Sequence, residues 1–172
     1  MATVYSGLGS NLGDREANIK QALARLGQRV TVEQTSSLYE TEPVGCEEGG
    51  WFLNAVCVCS TQFDPFEVLS LAKEIEGELG REPIPLRRTN APRPIDIDIL
   101  FYDDVMLETP DLVIPHPRIC TRAFVLVPMS EIAPGFIHPV EKRTISDLLG
   151  DLKDSHKIRK WCDVSDISSA AL

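Results

Sequence analysis

Two aspartates lie inside an otherwise apolar run, RPIDIDILFY, at residues 93–102. Alternating apolar and polar side chains over this length predict a β-strand with one buried face. Side chains alternate between the faces of a strand, so Asp96 and Asp98 share one face, about 7 Å apart. Carboxylates at this spacing can hold one or two Mg²⁺ ions, which prefer oxygen ligands and share them with substrate phosphates. The alternative is a solvated strand face without a catalytic role.

Arginine is concentrated just before this run, in a chain that is otherwise acidic. Four arginines fall within thirteen residues: Arg81, Arg87, Arg88 and Arg93. The guanidinium group binds phosphate oxygens through paired hydrogen bonds and stays charged. A proline-containing loop with such side chains, next to two carboxylates, is typical of a polyphosphate site, and Arg118 and Arg122 are candidates for the same site. The alternative is a solvated loop whose charges only aid solubility.

The stretch WFLNAV, residues 51–56, places an aromatic ring and an amide at alternate positions. On a strand, Phe52 and Asn54 share one face, and this pair suits a flat heterocycle that stacks on one and hydrogen-bonds to the other. Phe124 is a candidate for a second aromatic wall. His116, in PHPR, is a candidate for a phosphate or hydrogen-bonding role, whereas His138 is expected to be structural. Core packing of both phenylalanines is the alternative.

The glycines of SGLGSNLG, residues 6–13, do not form a known phosphate-binding loop. Gly7 and Gly9 fit the start of GxGxxG, but Leu12 occupies the last glycine position, and no GK[ST] occurs in the chain. The sequence therefore disfavours dinucleotide-binding and P-loop folds. We expect Gly7, Gly9 and Gly13 to serve the backbone at a strand-to-helix turn.

Composition indicates one globular domain. The chain has 172 residues, 43% of them hydrophobic, and a net charge of −9, which disfavours a protein that binds nucleic acid through a broad basic surface. No apolar run is long enough for a membrane span, and the N-terminus lacks the pattern of a signal peptide. We expect a cytoplasmic monomer with no membrane partner. The five cysteines are expected to be reduced core residues, with a metal or redox role as the alternative.

The predicted order of elements is strand, helix, strand, strand, helix, strand. The strands lie in residues 3–9, 30–40, 51–61 and 93–102, and the helices in residues 10–27 and 64–80. This order is the split βαβ pattern of a ferredoxin-like fold, an α+β fold in which helices cover one face of an antiparallel sheet and leave the other free. We also expect a hairpin through residues 102–105 and a helix near residues 144–152. The predicted domain spans residues 1–160, followed by a tail over residues 161–172.

Several of these stretches together resemble the family of 6-hydroxymethyl-7,8-dihydropterin pyrophosphokinases of folate biosynthesis. The resemblance runs through GLGSNLGDR, SSLYETEPVG, FLNAV, IEGELGR, APRPIDIDILFY, IPHPR and RAFVLVP, over residues 2–135. It implies a ferredoxin-like fold and an enzyme that transfers pyrophosphate from ATP to the pterin hydroxymethyl group and releases AMP. It also implies two Mg²⁺ ions held by Asp96 and Asp98.

The resemblance assigns further residues position by position. The positions that match the pterin pocket are Thr41, Pro43, Val44, Phe52, Asn54 and Phe124. The positions that match residues around ATP and its phosphates are Glu76, Arg81, Arg93, His116 and Arg122, with Arg87 or Arg88 in the loop. It also implies that Arg81 and Arg93 act with the aspartates in catalysis.

The loop before the aspartates departs from some family members, because Asn90 stands where they carry a tryptophan that helps to close the loop over the pterin. Two other function classes stay open. A different magnesium-dependent nucleotide transferase would keep the aspartate pair and ignore pterins. A non-catalytic nucleotide-binding regulator would bind ATP without releasing AMP.

Overall fold

An antiparallel sheet of six strands organises the computed structural model, which describes residues 1–43, 50–80 and 92–163. The strands of the sheet are β1 (Ala2–Ser10), β2 (Thr31–Thr35), β3 (Leu38–Thr41), β4 (Phe52–Thr61), β5 (Asp96–Tyr102) and β8 (Ile158–Cys162). They lie in the order β5-β1-β4-β3-β8, and β2 pairs with β4 beside β3. The predicted α+β class with an antiparallel sheet is confirmed.

Four α-helices, a short 3-10 helix (Ile119–Thr121) and a small second sheet complete the described part of the chain. The helices are α1 (Arg15–Gly27), α2 (Pro65–Glu78), α3 (Ala123–Ile132) and α4 (Ile145–Gly150), and β6 (Leu107–Glu108) pairs with β7 (Val113–Ile114). Side-chain caps fix where the long helices begin: the Asp14 carboxylate accepts from the N–H of Ala17, and Asp64 accepts from that of Glu67. None of the helices in these residues has the length and apolar character needed to span a membrane.

The first face of the sheet packs against α1 and α2. Because side chains alternate along each strand, Leu8, Leu53 and Ile97 point to this face and are buried with Ile19 and Ile75 of the two helices. Cys57 and Cys59 of β4 also point here and are buried and free, as predicted, whereas Cys120 and Cys162 are free but only half-buried. This cluster fixes β1, β4 and β5 relative to one another, and it leaves the alternate residues of each strand for the second face.

The second face is covered in part by α3. Val56 of β4 and Leu100 of β5 are buried against Leu126 and Met129 of this helix. We expected this face to be free, and that detail was wrong, because the almost wholly apolar sequence AFVLVPMSEI adds a third layer to the sheet. Among the described residues, a cavity remains beside the N-terminal end of α3.

The strand predicted over residues 30–40 is broken into β2 and β3 by two buried serines. The Ser36 hydroxyl accepts from the N–H of Val56 at 2.9 Å, and the N–H and hydroxyl of Ser37 donate to Glu131 at 2.8 and 2.7 Å. Side-chain hydrogen bonds thus interrupt the regular strand pairing at this point, although the N–H of Ser36 still donates to the Val56 carbonyl at 2.8 Å. The hairpin expected through residues 102–105 was also wrong: the turn forms, but β6 pairs with β7 and not with β5.

The C-terminal strand β8 is fastened to β3 by a buried carboxylate. Glu40, whose side chain is 8% exposed, accepts hydrogen bonds from Arg15 at 2.8 Å and from Nε of Arg159 at 2.9 Å. The helix expected near residues 144–152 is confirmed as α4. β8 ends at Cys162, just past residue 160, where the sequence predicts the end of the domain. The division into a domain and a tail stays a prediction.

Replacing Glu40 by glutamine should lower the free energy of unfolding by about 2 kcal/mol at pH 7, because hydrogen bonds to a buried charge are lost. Burial alone would raise the pKa of Glu40, but hydrogen bonds from Arg15 and Arg159 outweigh it and hold the pKa below its ordinary value of 4.5. The stabilisation is therefore complete above about pH 4.5 and is lost as the pH falls through the lower folded pKa. Urea unfolding at several pH values measures the difference, with Glu108→Gln as the exposed control, and a difference that is equal at pH 7 and pH 3 would contradict this.

Candidate active site

A cavity of about 560 Å³ opens on the second face of the sheet, beside the start of α3. Ten of the predicted functional residues line it: Thr41, Phe52, Asn54, Arg93, Asp96, Asp98, His116, Arg118, Arg122 and Phe124. They come from three strands, from the segment before β5 and from the region around the N-terminus of α3. Residues far apart in the sequence thus meet in one concave space, the common form of a small-molecule site.

The two aspartates lie together on one wall of this cavity. Asp96 and Asp98 are half-buried on β5, and the isoleucines between and beside them are buried on the opposite face. The guanidinium of Arg93 donates to Asp96 at 3.2 Å. The backbone of Arg93 is held by Asn11, whose side-chain oxygen accepts from the Arg93 N–H at 2.8 Å and whose own N–H donates to the Arg93 carbonyl at 3.1 Å. Asn11 therefore fixes the main chain of Arg93, the residue whose side chain lies beside the carboxylates.

Glycines on β1 keep the space above the aspartates open. Gly7 pairs with Asp98 and Gly9 with Asp96, so each glycine faces the cavity beside a carboxylate. The expectation that Gly7 and Gly9 form a turn was wrong, since both lie inside β1. Of the three glycines in this stretch, only Gly13, with φ of 72°, has the backbone that favours glycine. Glycine inside a strand is the signal that marks close approach of a ligand or another chain segment.

An amide and a hydroxyl form a fixed pair at one end of the cavity. Asn54 of β4 donates through Nδ2 to the hydroxyl of Thr41 at 2.6 Å. Its other amide atom, Oδ1, lies where a side chain on Gly9 would collide: a Cβ atom there would be 2.8 Å away. Thr41 thus holds the amide in one orientation, and the absence of a side chain at Gly9 leaves room for it. Asn54 and Thr41 are both buried.

Aromatic rings on two sides of the cavity each lie against an arginine. The Arg93 guanidinium carbon is 5.7 Å from the centre of the Phe52 ring, and that of Arg122 is 5.1 Å from the Phe124 ring. A guanidinium stacked on an aromatic face gains cation–π attraction and holds its direction. Each ring therefore has a cation placed next to it, so that flat apolar surface and positive charge are adjacent.

His116 is held as a neutral hydrogen-bond donor. Its Nδ1 accepts from the N–H of Arg118 at 3.2 Å, which leaves the proton on Nε2. Burial, followed by the charges of Arg122 and Arg118, lowers the pKa of His116, against a smaller opposite effect of Asp96. Burial and the neighbouring Arg118 also lower the pKa of Arg122. His138, by contrast, accepts from the N–H groups of Val140 and Glu141 and has the structural role predicted for it.

Other predicted residues lie elsewhere. Glu76 of α2 accepts from the N–H of Ile97 at 2.9 Å and supports β5; neither it nor Pro43 is among the residues that line the cavity, whereas Glu42 is. Val44, Arg81, Arg87 and Arg88 lie outside the described residues, as does Asn90. Glu42 and the two strand glycines were missed by sequence reasoning.

Comparison with known proteins identifies a family that this chain resembles over most of its length. Residues 5–134 match a family model described as 7,8-dihydro-6-hydroxymethylpterin-pyrophosphokinase. A 2-amino-4-hydroxy-6-hydroxymethyldihydropteridine pyrophosphokinase of Bacillus subtilis is 43% identical over 160 residues, 91% of this chain and 89% of the relative. One of the same description from Aquifex aeolicus is 39% identical over 94% of this chain and 97% of its own length.

Longer proteins also contain this unit. A folic acid synthesis protein of Dictyostelium discoideum is 44% identical over 79% of this chain, which spans only 20% of that protein. The crystal structure of a wild-type HPPK-DHPS of Plasmodium falciparum with pteroate matches 87% of this chain with a TM-score of 0.71, at 19% identity and over 42% of its own length. This structural likeness confirms the ferredoxin-like fold. The chain therefore belongs to the family of 7,8-dihydro-6-hydroxymethylpterin-pyrophosphokinases, transferases that pass pyrophosphate from ATP to a hydroxymethyldihydropterin in folate synthesis.

Proposed function

We propose that the cavity transfers pyrophosphate from ATP to 6-hydroxymethyl-7,8-dihydropterin and releases AMP. The observation that carries this proposal is the arrangement of the cavity, which joins an aromatic and amide end to an end with two carboxylates and several cations. A flat heterocycle and a polyphosphate need these two environments side by side. The pterin hydroxyl attacks the β-phosphorus of ATP, the bond from that phosphorus to the α-phosphate oxygen breaks, and AMP leaves with that oxygen.

The pterin end is proposed to consist of Thr41, Asn54, Phe52 and Phe124, with Pro43 and Val44 at its border. The buried amide of Asn54 is oriented by Thr41, so it can hydrogen-bond to the edge of a planar ring without first losing rotational freedom. Phe52 and Phe124 offer flat surfaces to the ring faces. This end of the cavity would hold the hydroxymethyl group toward the aspartates of β5.

The phosphate end is proposed to consist of Arg93, Arg122 and His116. Neutral His116 donates from Nε2, and the two guanidinium groups donate in paired hydrogen bonds, so all three can bind phosphate oxygens. Arg118 also lines the cavity and adds positive charge. Further residues at matching positions complete the proposed nucleotide set: Glu76, Arg81, Arg87 and Arg88.

Asp96 and Asp98 fit magnesium. They are hard oxygen donors on one face of β5, at the wall of a cavity wide enough for phosphates. Mg²⁺ is usually bound by one or two carboxylates together with waters and substrate phosphates, which is the donor set this site offers. We propose two Mg²⁺ ions here, which when bound neutralise phosphate charge and lower the pKa of the incoming hydroxyl.

The residues of the chain contribute position and charge. Arg93, fixed by Asn11, lies against Asp96 and can keep contact with the transferred group as negative charge moves from the pterin oxygen to AMP. Phosphoryl-type transfer depends mainly on such alignment and charge stabilisation. We propose that Arg81, which lies outside the described residues, assists in catalysis. A cytoplasmic monomer is the proposed form of the protein.

The formation of AMP tests this function. The protein is incubated with ATP, Mg²⁺ and 6-hydroxymethyl-7,8-dihydropterin, and AMP is quantified as each component is omitted in turn. We expect AMP only when all three are present. AMP formation without pterin would indicate a different transferase, and ATP binding without AMP would indicate a regulator.

Replacing Gly9 by alanine should raise the dissociation constant for the pterin by about tenfold, since a Cβ atom 2.8 Å from Asn54 Oδ1 forces the amide out of position. Equilibrium binding of the pterin in the presence of a non-hydrolysable ATP analogue measures this. Gly77→Ala is the matched control, because Gly77 lies in α2 away from the cavity and a Cβ placed there would meet nothing within 4 Å among the described residues. Equal pterin affinity in Gly9→Ala and the parent protein would show that the orientation of Asn54 does not govern binding.

A further inference from the structure

The segment between α4 and β8 places a buried carboxylate beneath the first residue of α3. Asp154 Oδ2 accepts from the N–H of Ala123 at 3.0 Å. Its other oxygen accepts from the N–H of His156 at 2.9 Å and lies 2.5 Å from His156 Nδ1. The Asp154 side chain is only 5% exposed. The hydrogen bond thus joins two residues that are 31 positions apart in the sequence, and its donor is the first N–H of this helix.

Ala123 lies between two residues of the candidate active site. Arg122 precedes the helix as its N-cap, and Phe124 is the second helical residue; both line the cavity and stack on each other at 5.1 Å. The Arg122 side chain gives the helix no capping hydrogen bond. The first N–H groups of a helix need an acceptor from outside it, and Asp154 supplies one to the first of them.

The carboxylate is suited to this role by its charge. Burial alone would raise the pKa of Asp154, but hydrogen bonds from Ala123 and His156 outweigh it and lower the pKa. An ionised carboxylate at a helix N-terminus interacts favourably with the helix dipole. The rest of α3 is held independently, because Leu126 and Met129 are fully buried and Glu131 binds Ser37. Loss of Asp154 would therefore loosen the first turn and leave the remainder of the helix in place.

We propose that Asp154 is a positioning residue for the pyrophosphokinase reaction: through the N–H of Ala123 it fixes the directions of Arg122 and Phe124 in the active site. The residue lies beyond the segment 5–134 that matches the family, so this part of the chain would act on the site from outside that segment. The inference rests on the function proposed above, in which Arg122 binds phosphate and Phe124 covers the pterin.

Steady-state kinetics of Asp154→Ala, Asp154→Asn and Asp151→Ala test the proposal. Asp151 is a matched control in the same segment, since its side chain is 68% exposed and pairs with Arg143 at the surface. Asp154→Ala should raise KM for the pterin roughly five- to tenfold, the usual cost of one lost cap expressed as a binding ratio. Asp154→Asn should give a KM between those of the parent and Asp154→Ala, because asparagine keeps one acceptor oxygen for the Ala123 N–H and loses the charge and the second acceptor oxygen. Asp151→Ala should match the parent.

The rise in KM separates positioning from a general loss of folding. A partly unfolded enzyme has fewer active molecules, which lowers kcat and leaves KM unchanged, and thermal melting measures that fraction directly. An Asp154→Ala protein with the parent KM overturns the proposal, as does an Asp154→Asn protein whose KM is no lower than that of Asp154→Ala. Parent protein that forms no AMP would instead overturn the proposed function, and the positioning role with it.

Discussion

Replacing Asp98 by asparagine is expected to lower kcat for AMP formation by about 10³-fold or more, since a charged group that stabilises the transferring phosphates is lost. Asparagine has the same shape as aspartate, and Asp98 is half-buried on a strand whose other face is packed against α2. The melting temperature should therefore change by no more than a few degrees. AMP release under saturating substrates and thermal melting of the same preparations measure the two effects.

Asp104→Asn is the control for this substitution. Asp104 is an exposed carboxylate two residues beyond β5 and away from the cavity, so its loss changes the net charge equally without touching the site. Activity of Asp98→Asn within about tenfold of the parent would refute the proposal that the two carboxylates hold the metal. A parallel loss of activity in Asp104→Asn would show that the effect is not local.

Replacing Arg93 by alanine is expected to lower kcat by about 10²- to 10³-fold and to weaken pterin binding only a few-fold. The guanidinium lies 3.2 Å from Asp96 and against Phe52, where it faces the proposed phosphates. The groups proposed to bind the pterin edge, Asn54 and Thr41, hydrogen-bond to each other, whereas Arg93 donates to Asp96. Rapid-quench measurement of AMP formation, together with equilibrium binding of the pterin, separates the two quantities.

Two further variants sharpen the Arg93 experiment. Arg93→Lys keeps the charge and loses the two-pronged hydrogen bonding of arginine, so its kcat should lie between those of the parent and Arg93→Ala. Arg29→Ala removes an exposed arginine that pairs with Glu74 on the far side of the sheet and should leave both quantities unchanged. If pterin affinity fell by orders of magnitude while kcat was kept, Arg93 would belong to the pterin end of the cavity.

Local sequence patterns predicted the elements that carry the site. The alternation around Asp96 and Asp98 placed them on one face of a strand, because the side-chain period of a strand is two and the isoleucines need a core. The start of α2 was predictable from Asp64 and Pro65, which act within one helical turn. These features depend on neighbouring residues only, so a single sequence contains the information.

Features that depend on distant residues were not predictable in the same way. The break at Ser36 and Ser37 requires Glu131, which lies 94 residues later than Ser37. The open space above the aspartates depends on the pairing of β1 with β5, which brings Gly7 and Gly9 beside them. The capping of α3 by Asp154 likewise joins two segments with no shared pattern. Sequence reasoning thus identified most of the lining residues and missed what orients them.

The identity of the phosphorus products tests the central claim most directly. Phosphorus-31 NMR of a reaction with ATP, Mg²⁺ and 6-hydroxymethyl-7,8-dihydropterin distinguishes a diphosphate ester from a monophosphate ester. Attack at the β-phosphorus predicts equal amounts of AMP and a pterin diphosphate, with two coupled resonances from the new ester. ADP together with a pterin monophosphate would place the attack at the γ-phosphorus and contradict the pyrophosphate transfer proposed for this cavity.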